Sequence, residues 1–185
     1  MIFQKSGKSW AWFSDDRTAS LNSSIGTTAR FSIGEDGRKP IICFGINPSI
    51  ATPYKYDPTI DSMIRIATNA SNRYDGFIMF NIYPQIATDP NELHNPFSPE
   101  LKAENEKHIA EILKKLSESN QKLTLWAAWG KIIKMRTYLS RIKEDILNLP
   151  EVQCCQWVTL DRTKYPAERH PLYVKNDTVL VPYKP

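Results

Sequence analysis

Four mainly apolar segments recur along the chain, and each is short enough to form a strand. Apolar runs of this length are typical of strands that are buried on both faces of a sheet. Most of the runs end in polar or sharply turning segments. The pattern therefore predicts four central strands, over residues 40–44, 77–80, 122–128 and 152–160.

Segments with helical periodicity separate these strands. Asp57 followed by Pro58 is typical of a helix start, because aspartate caps free N–H groups and proline suits the first helical position. Further apolar stripes predict helices over residues 99–119 and 131–148. The alternating order predicts an α/β fold, with three α/β/α layers around a central four-stranded, mostly parallel sheet.

The first 39 residues precede this alternation and are predicted to be an N-terminal extension. Within it, the alternating segment from Ala29 to Ile33 and the turn residues 34–37 predict an edge strand and a hairpin leading to Pro40. No repeat or linker interrupts the chain, so we expect a single domain over residues 1–185 with its core at 40–175.

Composition narrows the class of protein only slightly. Of the 185 residues, 41% are apolar and 24% are charged, which is typical of a globular protein. A net charge of +4 with many aromatic residues suits nucleic-acid binding but also suits enzymes of small anionic metabolites. There is no signal peptide and no apolar run of the roughly 20 residues that span a membrane. We expect a cytoplasmic monomer that does not bind membranes.

Motifs for cofactors and metals are missing. The sequence has no glycine-rich nucleotide loop and no HExxH pattern, and its three cysteines lack metal-ligand spacing. We therefore expect no cofactor and no metal. His108 lies among charged residues of a predicted helix and is expected to be solvated.

Polar side chains instead follow the predicted strands. Asn47 comes after the first strand, Asn81 after the second, and His170 lies in the loop after the last. Because ligands of such sheets bind beyond the carboxyl ends of the strands, these positions predict the site.

Two of these segments resemble motifs of the uracil-DNA glycosylase superfamily. Residues 45–49 (Gly-Ile-Asn-Pro-Ser) are similar to its first motif, which reads Gly-Ile-Asn-Pro-Gly in the mismatch-specific branch. Residues 169–173 (Arg-His-Pro-Leu-Tyr) resemble the second motif, His-Pro-Ser-Pro-Leu-Ser. Asn81 stands where the superfamily carries an asparagine, and residues 125–130 match the pattern of its third strand. Order and spacing agree from about residue 40 to 175.

The chain also departs from these motifs. Ser49 replaces a glycine, the second motif is shorter, and Asn47 takes the place of the aspartate that activates water in the most efficient branch. The combination of the Asn-Pro-Ser, Asp-Pro-Thr, Thr-Asp-Pro and His-Pro-Leu-Tyr segments is similar to a domain family of unassigned function found in bacteria and phages.

The resemblance implies a monofunctional DNA glycosylase that flips a pyrimidine-type base and hydrolyses its glycosidic bond, in repair or antiviral defence. The base is uracil, a mismatched thymine or a modified pyrimidine. Asn47 would orient water, His170 would stabilise the departing base, and Asp57 is either a helix cap or a catalytic base. Base or substrate contacts are expected from Gly45, Ile46, Pro48, Ser49, Tyr54, Tyr56, Asn81 and Tyr83. Contacts to DNA are expected from Arg162, Lys164, Arg169, Leu172, Tyr173 and Lys175.

Each of these residues also has a structural interpretation. Asn47 and Asn81 would then bond only to loops, His170 would be a structural histidine, and Tyr54 and Tyr56 would cover the edge of the sheet. Two other functions stay open: a nucleotide or nucleoside hydrolase acting on a small substrate, and a non-catalytic nucleic-acid-binding module.

Overall fold

The computed structural model describes residues 3–5, 8–10, 29–35, 37–52, 55–118 and 122–185. Near the N-terminus, Phe3–Lys5 (β1) and Lys8–Trp10 (β2) pair in a separate two-stranded antiparallel sheet. All other strands of the described chain belong to one mixed sheet.

The main sheet has six strands, in the order β3-β5-β4-β6-β7-β8. The four central strands are parallel, as predicted, and the two outer strands run antiparallel to their neighbours. The predicted number of four is therefore wrong, because the edge strands β3 and β8 are only three residues long and too short to be recognised from the pattern of apolar residues. The strands are β3 (Ile33–Glu35), β4 (Pro40–Gly45), β5 (Gly76–Asn81), β6 (Thr124–Ala127), β7 (Gln156–Leu160) and β8 (Leu180–Pro182).

The predicted hairpin before Pro40 is not formed. Strand β3 lies at the edge of the sheet, but it pairs with β5 rather than with β4. Because β3 is antiparallel to β5, the residues just before β3 lie beside the carboxyl end of β5: the N–H of Arg30 donates to the carbonyl of Pro84 at 2.9 Å.

Helices cover both faces of the sheet, since alternate residues of the buried strands point to opposite sides. Ile41 and Cys43 of β4 belong to the core under α1, whereas Ile42 and Phe44 belong to the core under α2 and α3. The helices are α1 (Pro58–Ala67), α2 (Pro99–Ser117), α3 (Thr137–Leu147) and the single turn α4 (Pro150–Gln153), with 3₁₀ turns at Pro90–Glu92 and Lys131–Lys134.

Three local predictions need correction. The helix expected over 131–148 is divided by the extended Arg136 into a 3₁₀ turn and α3. The last parallel strand begins at Gln156 instead of 152, because Pro150 opens a helical turn. His108 is buried in α2 and hydrogen-bonds to the hydroxyl of Ser32 at 2.9 Å, since it lies on the face that packs against the sheet.

None of the described helices combines the length and the apolar character that crossing a membrane requires.

Candidate functional site

A cleft of about 450 Å³ opens at the carboxyl ends of the central strands. The loops after β4 and β5 form its floor, the start of α1 forms one wall, and the loop after β7 forms another. Its polar side chains are those of Arg30, Asn47, Ser49, Asp57, Thr59, Asn81, Thr88 and His170.

The loop after β4 is held by backbone hydrogen bonds to the loop after β5. The carbonyl of Pro48 accepts from the N–H of Ala87 at 3.0 Å. The Nδ2 atom of Asn47 donates to the carbonyls of Ala87 (2.7 Å) and Pro48 (3.1 Å). Both bonds use the amide nitrogen, so the Oδ1 of Asn47 remains without a partner among the described residues. The Nδ2 of Asn47 thus fixes the side chain in place, and its Oδ1 remains as a hydrogen-bond acceptor.

Asn81 ends β5 at the floor of the cleft and is only 1% exposed. Neither its Nδ2 nor its Oδ1 has a hydrogen-bond partner among the described residues. Gly45 leaves the space for this amide, because a β-carbon built on Gly45 would lie 2.9 Å from the Oδ1 of Asn81. A buried polar group without a partner costs about 1–3 kcal/mol, so this amide is a candidate for contact with a ligand.

Asp57 caps helix α1, and Pro58 follows it at the first helical position, as predicted. One carboxylate oxygen accepts from the N–H of Ile60 at 2.9 Å. The other oxygen has no hydrogen-bond partner among the described residues. The capping interpretation of Asp57 is therefore confirmed, and its position in the cleft wall keeps a catalytic role possible.

His170 lies across the cleft in the loop after β7. Its Nδ1 accepts a hydrogen bond from the N–H of Leu172 at 3.3 Å, which places the proton of the neutral ring on Nε2. Burial lowers the pKa of His170, as does the charge of Arg169, while Asp57 opposes the shift. The imidazole is therefore neutral at pH 7, with Nε2 as a donor.

Two contacts hold the His170 loop in place. The hydroxyl of Ser62 in α1 donates to the carbonyl of Pro171 at 3.0 Å. The N–H of Gly130 donates to the carbonyl of Glu168 at 2.6 Å, and Gly130 has a φ of 62° that favours glycine. A β-carbon on Gly130 would lie 3.4 Å from the Cβ of His170.

Arg30 is a residue of the cleft that the sequence analysis did not select. Arg30 is 4% exposed, and its Nη1 donates to the carbonyls of Ser49 (3.3 Å) and Ala51. Burial lowers its pKa to about 10, and the charge of Asp57 opposes that shift. The available signal was a single cation between Ala29 and Phe31, inside an otherwise apolar and small-residue segment.

Several predicted substrate contacts lie away from the cleft. The Tyr56 hydroxyl donates to Glu35, and its ring packs edge-on against Phe77 at the edge of the sheet. Tyr83 is fully buried on the α2 side, where its hydroxyl bonds to His94 (2.8 Å) and accepts from the N–H of Ser98 (2.9 Å). Tyr54 lies outside the described residues.

The remaining first-motif residues divide between cleft and core. Gly45, Ile46 and Ser49 line the cleft, whereas Pro48 is buried beside it. The structure therefore brings the two motifs together around one cavity.

An apolar rim surrounds the cleft, in which Ile50 is 67% exposed. Leu172 lines the cleft, and the adjacent Tyr173 is 88% exposed at a φ of 62°, an uncommon backbone conformation for a bulky residue. The predicted DNA-binding cations are all exposed in the segment after β7: Arg162, Lys164, Arg169 and Lys175. Their contact with DNA stays a prediction.

No group of three His, Cys, Asp or Glu side chains that could hold a metal occurs in the described parts of the chain.

Comparison with known proteins gives one match. The profile of a family described as "Protein of unknown function (DUF1643)" matches residues 30–172, which include every polar cleft residue named above. No curated protein and no solved structure matches the chain. The resemblance to uracil-DNA glycosylases therefore stays a prediction.

Proposed function

The chain belongs to this family of unassigned function, and from the geometry of its cleft we propose that it is a monofunctional DNA glycosylase. It would hydrolyse the N-glycosidic bond of a damaged or modified pyrimidine-type base that is flipped out of DNA. The observation that carries the proposal is Asn81, a buried amide at the floor of the cleft whose donor and acceptor both lack partners among the described residues.

An amide with both groups free suits the edge of a nucleobase. A pyrimidine presents neighbouring donors and acceptors, and a site that pairs them discriminates against analogues without them. The cleft volume of about 450 Å³ is within the range of small-molecule sites and admits a nucleotide. Asn81 would therefore read the base, and Gly45 would keep the approach open.

The other polar groups suit hydrolysis of a glycosidic bond. In the proposed reaction, water adds to C1′ of the deoxyribose, the C1′–N bond breaks, and its electron pair leaves with the base. The Oδ1 of Asn47 accepts a hydrogen bond from this water, and the free oxygen of Asp57 takes its proton. The Nε2–H of His170 donates to the base as negative charge develops there.

The neutral state of His170 favours this role. A donor that is aimed at a developing oxyanion contributes about 3–4 kcal/mol to the transition state. Because burial lowers the pKa of His170, the donor needs no proton uptake at neutral pH.

Base release followed by mass spectrometry tests the proposal directly. The substrates are oligonucleotides that carry uracil, a G·T mismatch, hydroxymethylated pyrimidines or glucosylated pyrimidines. Wild type is compared with Asn47→Ala and His170→Ala, and with the matched controls Asn176→Ala and His94→Ala, which change residues outside the cleft.

We expect a free base that disappears with either cleft substitution and persists in both controls. Thermal melting establishes that each variant is folded. Folded wild-type protein that releases no base from any of these DNAs would overturn the proposal.

Arg30 favours a second candidate, a hydrolase of free nucleotides. A buried guanidinium in the cleft suits a small anionic substrate that enters completely. The dependence of substrate binding on salt separates the two, because contacts with several DNA phosphates give a steep decrease in affinity as ionic strength rises.

A further inference from the structure

Arg30 presents an unused hydrogen-bonding edge in the cleft. Both hydrogen bonds of its guanidinium are made by Nη1, to the carbonyls of Ser49 and Ala51. The Nε has no partner, and no hydrogen bond joins Nη2 to any described residue. The Nε and Nη2 atoms lie on one edge of the planar guanidinium and form a two-pronged donor.

The charge of Arg30 is also incompletely compensated. Asp57 acts on it through its field, but no carboxylate of the described chain lies within ion-pair distance of the guanidinium. A buried cation is costly unless it is paired and hydrogen-bonded. An arginine that only held the loop after β4 would need the Nη1 bonds and not this free edge.

Arg30 lies among the other polar residues of the cleft. Arg30 lines the same cleft as Asn47, Asn81 and His170, because antiparallel β3 begins where the parallel strands end. The guanidinium fork matches the two oxygens of a phosphate or a carboxylate. Uncharged nucleosides offer no such pair of oxygens.

We propose that the Nε/Nη2 edge of Arg30 is an oxyanion subsite, and that the substrate nucleotide places a phosphate or a base carboxylate on it. The inference rests on the proposed function in taking the occupant to be a nucleotide. It adds a specificity-determining residue and a chemical requirement on the substrate: an anionic group in addition to the base.

Binding measurements on the full chain separate the sources of this anion. The probes are 2′-deoxyuridine, its 5′-monophosphate and 5-carboxy-2′-deoxyuridine, titrated by calorimetry into wild type, Arg30→Gln and Arg30→Lys. We expect one of the two anionic probes to bind wild type about 10- to 100-fold more tightly than the neutral nucleoside. The probe that does so identifies the phosphate or the carboxylate as the anion.

The substitutions test whether Arg30 is responsible. Arg30→Gln is expected to remove the advantage of the anionic probe, measured within that variant as the ratio of its affinity to the affinity for deoxyuridine. Arg30→Lys, which keeps the charge and loses the fork, is expected to retain part of the advantage. Measurable binding of the neutral nucleoside to each variant is the internal control for an intact cleft.

A direct measurement on wild type covers the case in which both variants fail to fold. In protein labelled with ¹⁵N-arginine, the Nε–H resonance of Arg30 is expected to shift when the anionic probe is added, and not when deoxyuridine is added. Equal affinity of wild type for all three probes, no binding of either anionic probe, or an advantage that survives in Arg30→Gln would overturn the subsite.

These results are independent of base release. An anion preference that requires Arg30, in a protein that releases no base, leaves the subsite standing and removes the glycosylase proposal. Base release without any anion preference supports the glycosylase proposal and overturns the subsite.

Discussion

Replacing Asn81 by leucine should make the free protein more stable and abolish recognition of its substrate. Leucine has the same branching as asparagine, with two methyl groups in place of the amide oxygen and nitrogen. Both amide atoms of Asn81 are buried without a partner, so the substitution removes two unpaired polar groups and breaks no side-chain hydrogen bond. The backbone carbonyl of Asn81 keeps its bond to Asn105 at 2.9 Å.

The size of the effect follows from the cost of burying unpaired polar groups. Each such group costs about 1–3 kcal/mol, but the larger methyl groups must fit against Met79 and Gly45, which offsets part of the gain. We expect a net increase of about 1–3 kcal/mol in the free energy of unfolding. For a chain of this size the increase corresponds to a rise of about 2–12 °C in the melting temperature.

Asn72→Leu is the matched control. Asn72 is also buried, but its side chain makes three hydrogen bonds, to the carbonyls of Ile66 (2.7 Å) and Thr178 (2.9 Å) and from the N–H of Leu180 (2.9 Å). The same substitution there should lower the free energy of unfolding by about 2–4 kcal/mol.

Chemical denaturation and calorimetry measure both variants, and the base-release assay or nucleotide titration measures function. Asn81→Leu is expected to melt higher than wild type while losing substrate binding, and Asn72→Leu is expected to melt lower. Comparable destabilisation by the two substitutions would refute the argument, because it would mean that the amide of Asn81 already has partners in the free protein.

Four further predictions concern the walls of the cleft. A β-carbon at Gly45 would lie 2.6 Å from the Cε of Met79 and 2.9 Å from the Oδ1 of Asn81. Gly45→Ala should therefore weaken nucleotide binding at least about tenfold, measured by calorimetry, and lower the free energy of unfolding by about 1–3 kcal/mol, measured by melting. Because the folded pKa of His170 is lowered, base release should persist as pH falls through 6.5 and decline only at lower pH, and a pH profile whose decline begins above 6.5 would contradict this role. The lowered pKa of His170 also makes stability depend on pH. The stability contributed by the neutral ring is complete above pH 6.5 and is lost as pH falls through the folded pKa. Denaturation curves of His170→Ala should not show this loss. Gly130→Ala should lower the free energy of unfolding by about 1–3 kcal/mol and the melting temperature by about 2–12 °C, because the φ of Gly130 is 62°. An unchanged melting temperature would show that the backbone relaxes.

The central part of the fold was accessible from sequence because buried parallel strands produce unbroken apolar runs. Those runs located β4, β5 and β6 closely, and their ends located Asn47 and Asn81. The edge strands were harder to identify. A strand of three residues has no periodicity to detect, and the partner of β3 is chosen by tertiary contacts rather than by the nearby turn.

The directions of side chains in the loops were also not predictable from the sequence. Tyr83 follows Asn81 by two residues and would share its face in a continuing strand. The strand ends at Asn81, however, and the chain then turns Tyr83 into the core on the α2 side. Arg30 was missed for a related reason: its place beside the cleft depends on the antiparallel direction of β3, which the sequence alone did not reveal.

The hydrogen bonds of the cleft distinguish polar groups that hold its walls from polar groups that are left without a partner. The clamp from Asn47 to the loop after β5, the cap formed by Asp57 and the bond from Ser62 to the His170 loop hold the walls in place without any bound molecule. These bonds are made within the fold and need no substrate, while the Oδ1 of Asn47 and the second carboxylate oxygen of Asp57 have no partner among the described residues.

Eight buried side-chain atoms of the described residues lack a hydrogen-bond partner, and five of them belong to residues outside the cleft: Asn105, Glu106, Trp126, Trp129 and Arg136. The other three, the two amide atoms of Asn81 and the Nε of Arg30, belong to residues that line the cleft. Buried polar groups are ordinarily paired, because a chain gains stability by pairing or replacing them. Two such groups on one cavity are therefore best explained by a molecule that pairs with both: a nucleobase edge on Asn81 and an oxyanion on Arg30.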